Sequence, residues 1–279
     1  MALPTATVFH GPGHPDGGMP GDQALAPVFD RTVEEGTRRL RRTWPGLLAT
    51  GWVGGMDVGI GIMALALVKQ QSGSALLGSL AFTVGFVALT LASSELFTEN
   101  FLVPIAAIVA QRARVRSLAR LWAGTLLMNL LGGWVIMGMI EVGLPQLKPT
   151  LVELGHHFVS IGLGWQAFFA AVLGGGIITL MTWMQHGSES EGAHIVAAVV
   201  AGFLLAAGSL NHAIVMSLEM FGALQSGAGF GYLAWFKAFV VACAGNIVGG
   251  VGFVTLLRLI QVGRAKIEHE RETAPAERA

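Results

Sequence analysis

Charged residues are scarce in this sequence: Asp, Glu, Lys and Arg make up only 12% of its 279 residues, and the two signs cancel to a net charge of zero. Soluble domains carry roughly 25% charged residues, so this chain falls outside that class. Zero net charge also argues against nucleic acid as a partner. Cys243 is the only cysteine, which excludes a disulfide within the chain and a cysteine-rich metal cluster.

Apolar residues are abundant, at 53% of the chain, and they fall into six long runs. A helix needs roughly 20 apolar residues to cross the hydrocarbon core of a bilayer. The sequence therefore predicts an all-α polytopic membrane protein with six spans. The predicted spans cover residues 46–68, 74–110, 121–140, 161–184, 193–224 and 234–260.

Polar residues interrupt the second and fifth spans, at 93–98 and 208–212. In hydrocarbon an unsatisfied backbone group costs several kcal/mol, so a break survives only where protein or a water-lined cavity receives it. Two interrupted spans in corresponding positions indicate a transport site between repeats. His212 lies in the second break, and an ionisable side chain at such a depth is a functional-site hypothesis by default.

Three regions are expected: a tail at 1–44, a membrane domain at 45–262 and a second tail at 263–279. We expect disorder to about residue 28, then a short amphipathic helix against the membrane surface. Arginines cluster before the first span, between the second and third, and after the sixth. Because basic residues mark cytoplasmic loops, both tails are predicted to lie in the cytoplasm, with the protein in the cell's inner membrane.

The halves of the chain repeat one another. The broken second span is followed by Asn129 and by Gly132 and Gly133, and the broken fifth span by Asn246 and by Gly249 and Gly250. Small residues let helices approach closely, and an asparagine can bond across the contact to the free backbone of a break. Since each half has three spans, the second copy must be inverted, which gives a 3+3 repeat.

These segments resemble the formate/nitrite transporter family. The resemblance rests on Glu95-Leu96-Phe97-Thr98, on Gly208-Ser209-Leu210-Asn211-His212 and on Gly245-Asn246-Ile247-Val248-Gly249-Gly250. It implies an aquaporin-like protomer, assembly as a homopentamer, and passage of small monovalent anions or their acids, such as formate or nitrite. The lysine that the family usually carries early in the fourth span has no counterpart at 158–163. The chain therefore looks closer to a divergent bacterial branch.

The resemblance also assigns residues to the substrate pathway. His212 matches the central pore histidine, and Thr98 matches a threonine that hydrogen-bonds it. Leu96 matches a constriction residue, and Leu205 stands where the family often has an aromatic. From their place at the breaks, Phe97 is a third candidate for an apolar gate, and Asn211 adjoins His212. The alternative for His212 is a histidine that only packs between helices.

Four acids, Asp57, Glu95, Glu99 and Glu219, lie in or beside the spans as pathway or structural groups. Glu95 is predicted to cap a half-helix, while Glu99 and Asp57 are expected to pair with backbone N–H groups or polar side chains. The adjacent pair His156 and His157 is predicted to lie in a solvated loop, because neighbouring residues on a helix do not share a face.

The predicted function is proton-linked or channel-like passage of a small weak-acid anion, with membrane lipid as the surrounding partner and no cofactor or metal. The alternative is a channel for a neutral solute such as water, glycerol or ammonia. Against it, the paired Asn-Pro-Ala signature of such channels is absent, since the chain reads Asn211-His212-Ala213 once. An enzyme is not expected, because the spans hold neither a Gly-x-Ser-x-Gly elbow nor an i, i+4 pair of metal ligands.

Overall fold

The computed structural model describes residues 20–274, and all regular structure in that range is helical. The α-helices are α1 Pro20–Arg41, α2 Trp44–Ser72, α3 Ala75–Leu91, α4 Val103–Val109, α5 Val115–Gly143, α6 Lys148–Ser160, α7 Trp165–His186, α8 Glu191–Ala207, α9 Ala213–Gln225, α10 Tyr232–Ile247, α11 Leu256–Val262 and α12 Arg264–Glu272. Short 3₁₀ turns at Phe97–Phe101 and Pro145–Leu147 precede α4 and α6, and a π-helical segment, Val248–Thr255, joins α10 to α11. The predicted all-α class is confirmed.

Four helices are long and apolar enough to cross a membrane without interruption. They are α2, α5, α7 and the continuous stretch Tyr232–Val262, with 29, 29, 22 and 31 residues. At about 1.5 Å per residue, each exceeds the ~30 Å hydrocarbon core of a bilayer. They correspond to the first, third, fourth and sixth predicted spans.

The other two crossings are each built from two half-helices, as the polar interruptions predicted. The first consists of α3 and α4 with the turn Phe97–Phe101 between them, and the second consists of α8 and α9. Ser93 and Ser209 have positive φ angles of 54° and 45°, a left-handed conformation that ends a helix. The same closing bond follows in both: Ser94 N donates to Leu89 O at 3.2 Å, and Leu210 N donates to Leu205 O at 3.0 Å.

The two halves pack by the same plan. In the first half α2 lies against both α3 and α5, and in the second half α7 lies against α8, α10 and the π-helical segment. The half-helices α3 and α8 also pack together, which places the two broken crossings side by side. Because each half contributes three crossings, the second half is inverted relative to the first. The predicted 3+3 inverted repeat with broken second and fifth helices is confirmed.

Helix α1 begins earlier than the sequence predicted and packs on the bundle. It starts at Pro20 rather than near residue 28, and its apolar face buries Val28, Phe29 and Val33 against α4 and its neighbours. A side chain at Gly36 would collide with the backbone of Val103, so this glycine permits the close approach of α1 and α4. Tertiary packing therefore orders part of a segment whose composition indicates disorder. The predicted disorder of residues 1–19 falls outside the described residues.

Residues 148–160, predicted as a loop, form helix α6, which packs against α9. The reason is an apolar stripe, Leu147, Leu151 and Phe158, which recurs at helical spacing and is buried. The stripe is too short to be recognised as a span. The prediction that His156 and His157 lie in a loop is wrong: both are helical, with His156 exposed and His157 partly buried.

The second predicted tail contains α12, which folds back toward the start of the chain. Lys266 Nζ lies 2.6 Å from Asp30 Oδ1 of α1. Arg112 Nη2, which follows α4, lies 2.7 Å from Glu270 Oε2. Helices α1 and α12 and the end of α4 therefore meet at one end of the bundle.

Candidate transport pathway

Two cavities lie at opposite ends of α3 and α8. One, called here the α1 cavity because α1 forms a wall of it, has a volume of about 430 Å³ and reaches the C-terminal end of α3 and the N-terminal end of α8. The other, the α6 cavity, has a volume of about 80 Å³ and reaches the opposite ends of both helices. Since α8 has 17 residues and is therefore about 25 Å long, the cavities are separated by much of the thickness of the bundle.

The two breaks are joined by a hydrogen bond between Thr98 and His212. His212 is fully buried and is the N-cap residue of α9. Its Nε2 lies 2.7 Å from Thr98 Oγ1, and its Nδ1 accepts a hydrogen bond from Val215 N at 3.3 Å. A backbone N–H only donates, so Nδ1 carries the lone pair, and Nε2–H of the neutral imidazole donates to the threonine oxygen. Both ring nitrogens thus have partners within the protein.

Asn129 and Asn246 hold the backbone of the two breaks in the same way. Asn129 Nδ2 donates to Gly51 O at 2.7 Å and Glu95 O at 2.9 Å, and Asn129 Oδ1 accepts from Phe97 N at 2.8 Å. Asn246 Nδ2 donates to Ala171 O at 2.7 Å and Asn211 O at 2.9 Å, and Asn246 Oδ1 accepts from Ala213 N at 2.8 Å. Glu95 in the first break therefore occupies the same position as Asn211 in the second. The next residues, Leu96 and His212, correspond in the same way.

The paired glycines lie where helices touch backbone to backbone. A Cβ at Gly132 would collide with Trp52 O of α2, and one at Gly249 would collide with Val172 O of α7. Gly133 faces the side chain of Leu218, and Gly250 faces Phe101 and Thr179. The glycines therefore allow the helix that carries each asparagine to lie close enough for the asparagine side chain to reach its break.

The three apolar residues assigned to a gate lie in one buried cluster but point to different neighbours. Leu96 and Leu205 are 0% and 1% exposed, and Leu205 reaches the α6 cavity. Phe97 instead packs edge-to-face on Phe101 and Trp122, with ring centroids 5.0 and 5.9 Å apart, and it lines neither cavity. Leu96 also lines neither cavity, so Leu205 is the one of the three that reaches either of them.

The predicted cap at Glu95 is wrong, because its neighbour Glu99 occupies that role. Glu99 Oε2 accepts a hydrogen bond from Leu96 N at 3.1 Å. Glu95 Oε1 lies 2.6 Å from Arg42 Nη1 and 3.3 Å from Arg39 Nε. These arginines reach the break because α1 docks on the bundle, against α4.

The remaining acids lie at different depths. Asp57 Oδ2 accepts from Ser94 Oγ at 2.5 Å, so the carboxylate of α2 supports the end of α3. Glu219 is 8% exposed, lines the α6 cavity, and has no hydrogen bond or ion pair with any residue from 20 to 274. Asn211 Nδ2 donates to Ala167 O at 3.2 Å, while its Oδ1 is buried without a partner in the same range.

The α1 cavity carries a dense group of opposite charges that sequence reasoning missed. Arg39 Nε also lies 2.8 Å from Glu35 Oε1, and Arg38 pairs with the other oxygen of Glu35. Burial alone would raise the pKa of Glu35, but the charges and hydrogen bonds of Arg39 and Arg38 outweigh it and hold that pKa below its ordinary value. Burial would lower the pKa of Arg39, yet Glu95, Glu35 and Glu99 raise it. The available signal was the i, i+4 spacing of Glu35 and Arg39 on an amphipathic helix, with Arg42 directly after the helix end.

The α6 cavity is lined by a lysine, Lys69, from another position than the family lysine. Lys69, at the end of α2, and His157 of α6 both line it, and Lys69 Nζ is held by Glu153 Oε1 at 2.9 Å. Among residues 20–274, no group of three His, Cys, Asp or Glu side chains is placed to hold a metal ion.

Six crossings in an inverted repeat, with two broken helices that meet between cavities on opposite sides, define a multi-pass membrane protein of the channel and transporter class. A family profile described as Formate/nitrite transporter matches residues 26–260. The chain therefore belongs to the formate/nitrite transporter family, as the motifs at the breaks suggested.

Two relatives match along most of their length. "Inner membrane protein YfdC" of Escherichia coli (strain K12) is 27% identical over 268 residues, which are 90% of this chain and 83% of the relative. "Formate channel BtFdhC" of Bacillus thuringiensis is 25% identical over 249 residues, 81% of this chain and 91% of the relative.

Solved structures share the fold. An "FNT family ion channel" superposes with a TM-score of 0.77 at 17% sequence identity, covering 84% of this chain and 98% of that one. A "Pentameric formate channel with formate bound" superposes with a TM-score of 0.63 at 19% identity, covering 78% of this chain and 96% of that one.

Proposed function

We propose that the protein passes a small monovalent weak-acid anion, of the formate or nitrite class, across the cell's inner membrane. The observation that carries this proposal is the Thr98–His212 pair, which joins the two helix breaks between the α1 and α6 cavities. Support comes from family membership and from a relative named as a formate channel.

The pathway would run from one cavity to the other past Leu205, His212, Thr98 and Leu96. A bare anion loses several kcal/mol of hydration in such an apolar passage. Half-helix N-termini offset part of that loss because their free N–H groups carry partial positive charge. The buried Asn211 Oδ1, which lacks a partner in residues 20–274, would accept a hydrogen bond from a protonated substrate.

Proton linkage through His212 would require one ring nitrogen to exchange its partner. Proton uptake at Nδ1 would break the bond from Val215 N, and proton transfer from Nε2 to a substrate would require the substrate to displace Thr98 first. A substrate oxygen that replaces the threonine at Nε2–H would satisfy the imidazole, and a second substrate oxygen that accepts from the Thr98 hydroxyl would keep that buried group paired. We assign His212 this role of hydrogen-bond donor at the narrowest point.

A homopentamer in which each subunit has its own pathway is the proposed assembly, supported by the fold of the pentameric formate channel. Large apolar side chains are exposed on several helices, including Leu76 and Leu80 of α3, Phe169 and Leu173 of α7, and Phe236 of α10. Such surfaces are suited to lipid or to neighbouring subunits. The arginines of α1 and the basic stretch 112–120 lie at one end of the bundle, which by the positive-inside rule supports the proposal that both termini lie in the cytoplasm.

The test is uptake of radiolabelled formate and nitrite into vesicles containing the purified protein, from about pH 5 to about pH 8, where imidazole titrates. We expect uptake well above that of empty vesicles. Stopped-flow measurement of vesicle shrinkage provides the comparison for water. Equal uptake by empty and protein-containing vesicles overturns the proposal, and rapid water flow without anion uptake would favour the neutral-solute channel instead.

A further inference from the structure

Among the candidate pathway acids, Glu219 is the one buried carboxyl group in residues 20–274 to which the structure gives no partner. Asp57 bonds to Ser94, Glu99 to the backbone of Leu96, and Glu95 to the arginines of α1. Glu219 has neither a hydrogen bond nor an ion pair in that range, although more than nine-tenths of its surface is buried. A buried carboxyl group without a partner is expected either to bind a ligand or to carry a proton.

Glu219 shares a helix face with His212. Residues 212, 215 and 219 on α9 follow the i, i+3, i+7 spacing of a single helix face, and both Val215 and Glu219 line the α6 cavity. Seven residues correspond to about 10 Å along the helix axis. A substrate that enters the α6 cavity therefore meets Glu219 before it reaches the imidazole.

The cavity has the size and charge for a small oxyanion. Its volume of about 80 Å³ exceeds the ~30 Å³ that one water occupies in the liquid, so a molecule of a few heavy atoms fits. Lys69 and His157 are the other ionisable groups that line it, and Glu153 approaches through its ion pair with Lys69. Of the other elements packed on α9, neither α5 nor α10 contributes an ionisable side chain to this cavity.

We propose that Glu219 is the proton donor to the transported weak-acid anion in the α6 cavity, upstream of His212. Lys69 attracts the anion to the mouth, and the acid form of Glu219 hydrogen-bonds a substrate oxygen. The O–H bond of Glu219 then breaks as an O–H bond forms on the substrate, which continues past Leu205 as a neutral acid. The carboxylate left behind faces Lys69 and regains a proton from water at the mouth of the cavity.

His212 is less suited to this step because both of its nitrogens are engaged. A general acid must have its proton within reach of the group that receives it. Glu219 offers oxygens that no residue in 20–274 contacts by hydrogen bond, and it faces the space in which the substrate would wait. Glu219 thus supplies the proton, and His212 supplies a hydrogen bond at the constriction.

The inference rests on the proposed function and is tested with the full-length protein in vesicles loaded with a pH-sensitive dye. Formate uptake and the accompanying proton movement are measured for the parent, Glu219→Gln, Glu219→Asp and Glu141→Gln. We expect Glu219→Gln to lower both by about a hundredfold or more, the scale of a lost general acid, while Glu219→Asp retains part of the uptake. Glu141 pairs with Lys148 outside the cavity, so Glu141→Gln should behave like the parent.

Infrared difference spectra provide a readout that a packing role would not change. Adding formate to the parent should shift the C=O stretch of a protonated carboxyl group, and the shift should be absent in Glu219→Gln but present in Glu141→Gln. Unchanged uptake in Glu219→Gln across the pH range, or a parent spectrum without a formate-dependent carboxyl shift, overturns the inference. Failure of the parent to take up formate overturns the proposed function instead, so the two failures are distinguishable.

Discussion

Thr98 and His212, separated by 114 positions in the chain, lie with Oγ1 and Nε2 only 2.7 Å apart and are both fully buried. The contact connects the 3₁₀ turn of the first break to the N-cap of the second half-helix α9. Because the imidazole also accepts from Val215 N, the hydroxyl, the ring and the helix start form one hydrogen-bonded unit. Removal of the Thr98 hydroxyl should therefore perturb the structure of both breaks.

Replacing Thr98 by valine keeps the shape of the side chain but removes the hydroxyl, leaving a buried imidazole N–H without a partner. We expect a loss of stability of about 1–3 kcal/mol and a reduced rate of formate uptake. Thermal unfolding in detergent and vesicle uptake measure the two effects. Thr98→Ser is the matched control, since it retains the hydroxyl. Equal behaviour of the valine and serine variants would show that the hydrogen bond has no role.

Asn129 and Asn246 should be equally important for stability, because each makes three hydrogen bonds of the same lengths, two to its break and one to a neighbouring helix. Substitution of either by leucine leaves backbone groups without partners in a dry environment, at a cost of about 1–3 kcal/mol for each group. We expect both variants to lower the unfolding temperature by similar amounts. A large loss for one variant and none for the other would contradict the equivalence of the two repeats.

Much of this architecture was predictable, because a membrane limits how a chain can satisfy its backbone. The breaks at Ser93 and Ser209 and the asparagines that serve them followed from polar residues in apolar runs. The 114-residue pairing of Thr98 with His212 did not follow from spacing and came only from resemblance to a family. Helix α6 was missed because an amphipathic helix of 13 residues is too short to be recognised by apolar length.

The role of α1 could not be predicted from local pattern. Its composition around Pro20–Pro27 favours disorder, and its order depends on contacts with α4, α11 and α12 that are distant in sequence. The same docking explains why Glu95 pairs with Arg42 and leaves the cap to Glu99. Both the order of α1 and the pairing of Glu95 therefore depend on tertiary contacts, and the local sequence of the break does not predict them.

Two glycines in the π-helical segment should respond oppositely to alanine. A Cβ at Gly249 would collide with Val172 O and the backbone of Gly176, atoms that cannot move aside, whereas a Cβ at Gly252 meets nothing within 4 Å. Gly249→Ala should cost about 1–3 kcal/mol through overpacking. Gly252→Ala should be neutral or slightly stabilising, because alanine is the better helix former by about 1 kcal/mol. Unfolding temperatures that do not differ between the variants would contradict the close helix contact.

Docking of α1 should depend on pH through Glu35. Its pKa is held below the ordinary value by Arg39 and Arg38 despite burial, so its contribution is fully present above the ordinary carboxyl pKa. That contribution is lost as the pH falls through the lowered pKa, when the protonated carboxyl no longer pairs with the arginines. The protection of the amides of residues 25–41 against hydrogen exchange, corrected for the intrinsic pH dependence of amide exchange, should therefore fall in acid in the parent. Glu35→Gln should show faster exchange already at neutral pH, with a smaller further change in acid.

The neighbouring exposed acid, Glu34, provides the control, because Glu34→Gln removes the same charge one position away without an ion pair to lose. Exchange in this variant should follow the parent at every pH. If Glu35→Gln also follows the parent, the ion pairs of Glu35 do not hold α1 on the bundle. In that case the apolar face formed by Val28, Phe29 and Val33 is sufficient for docking, and acid should leave α1 in place.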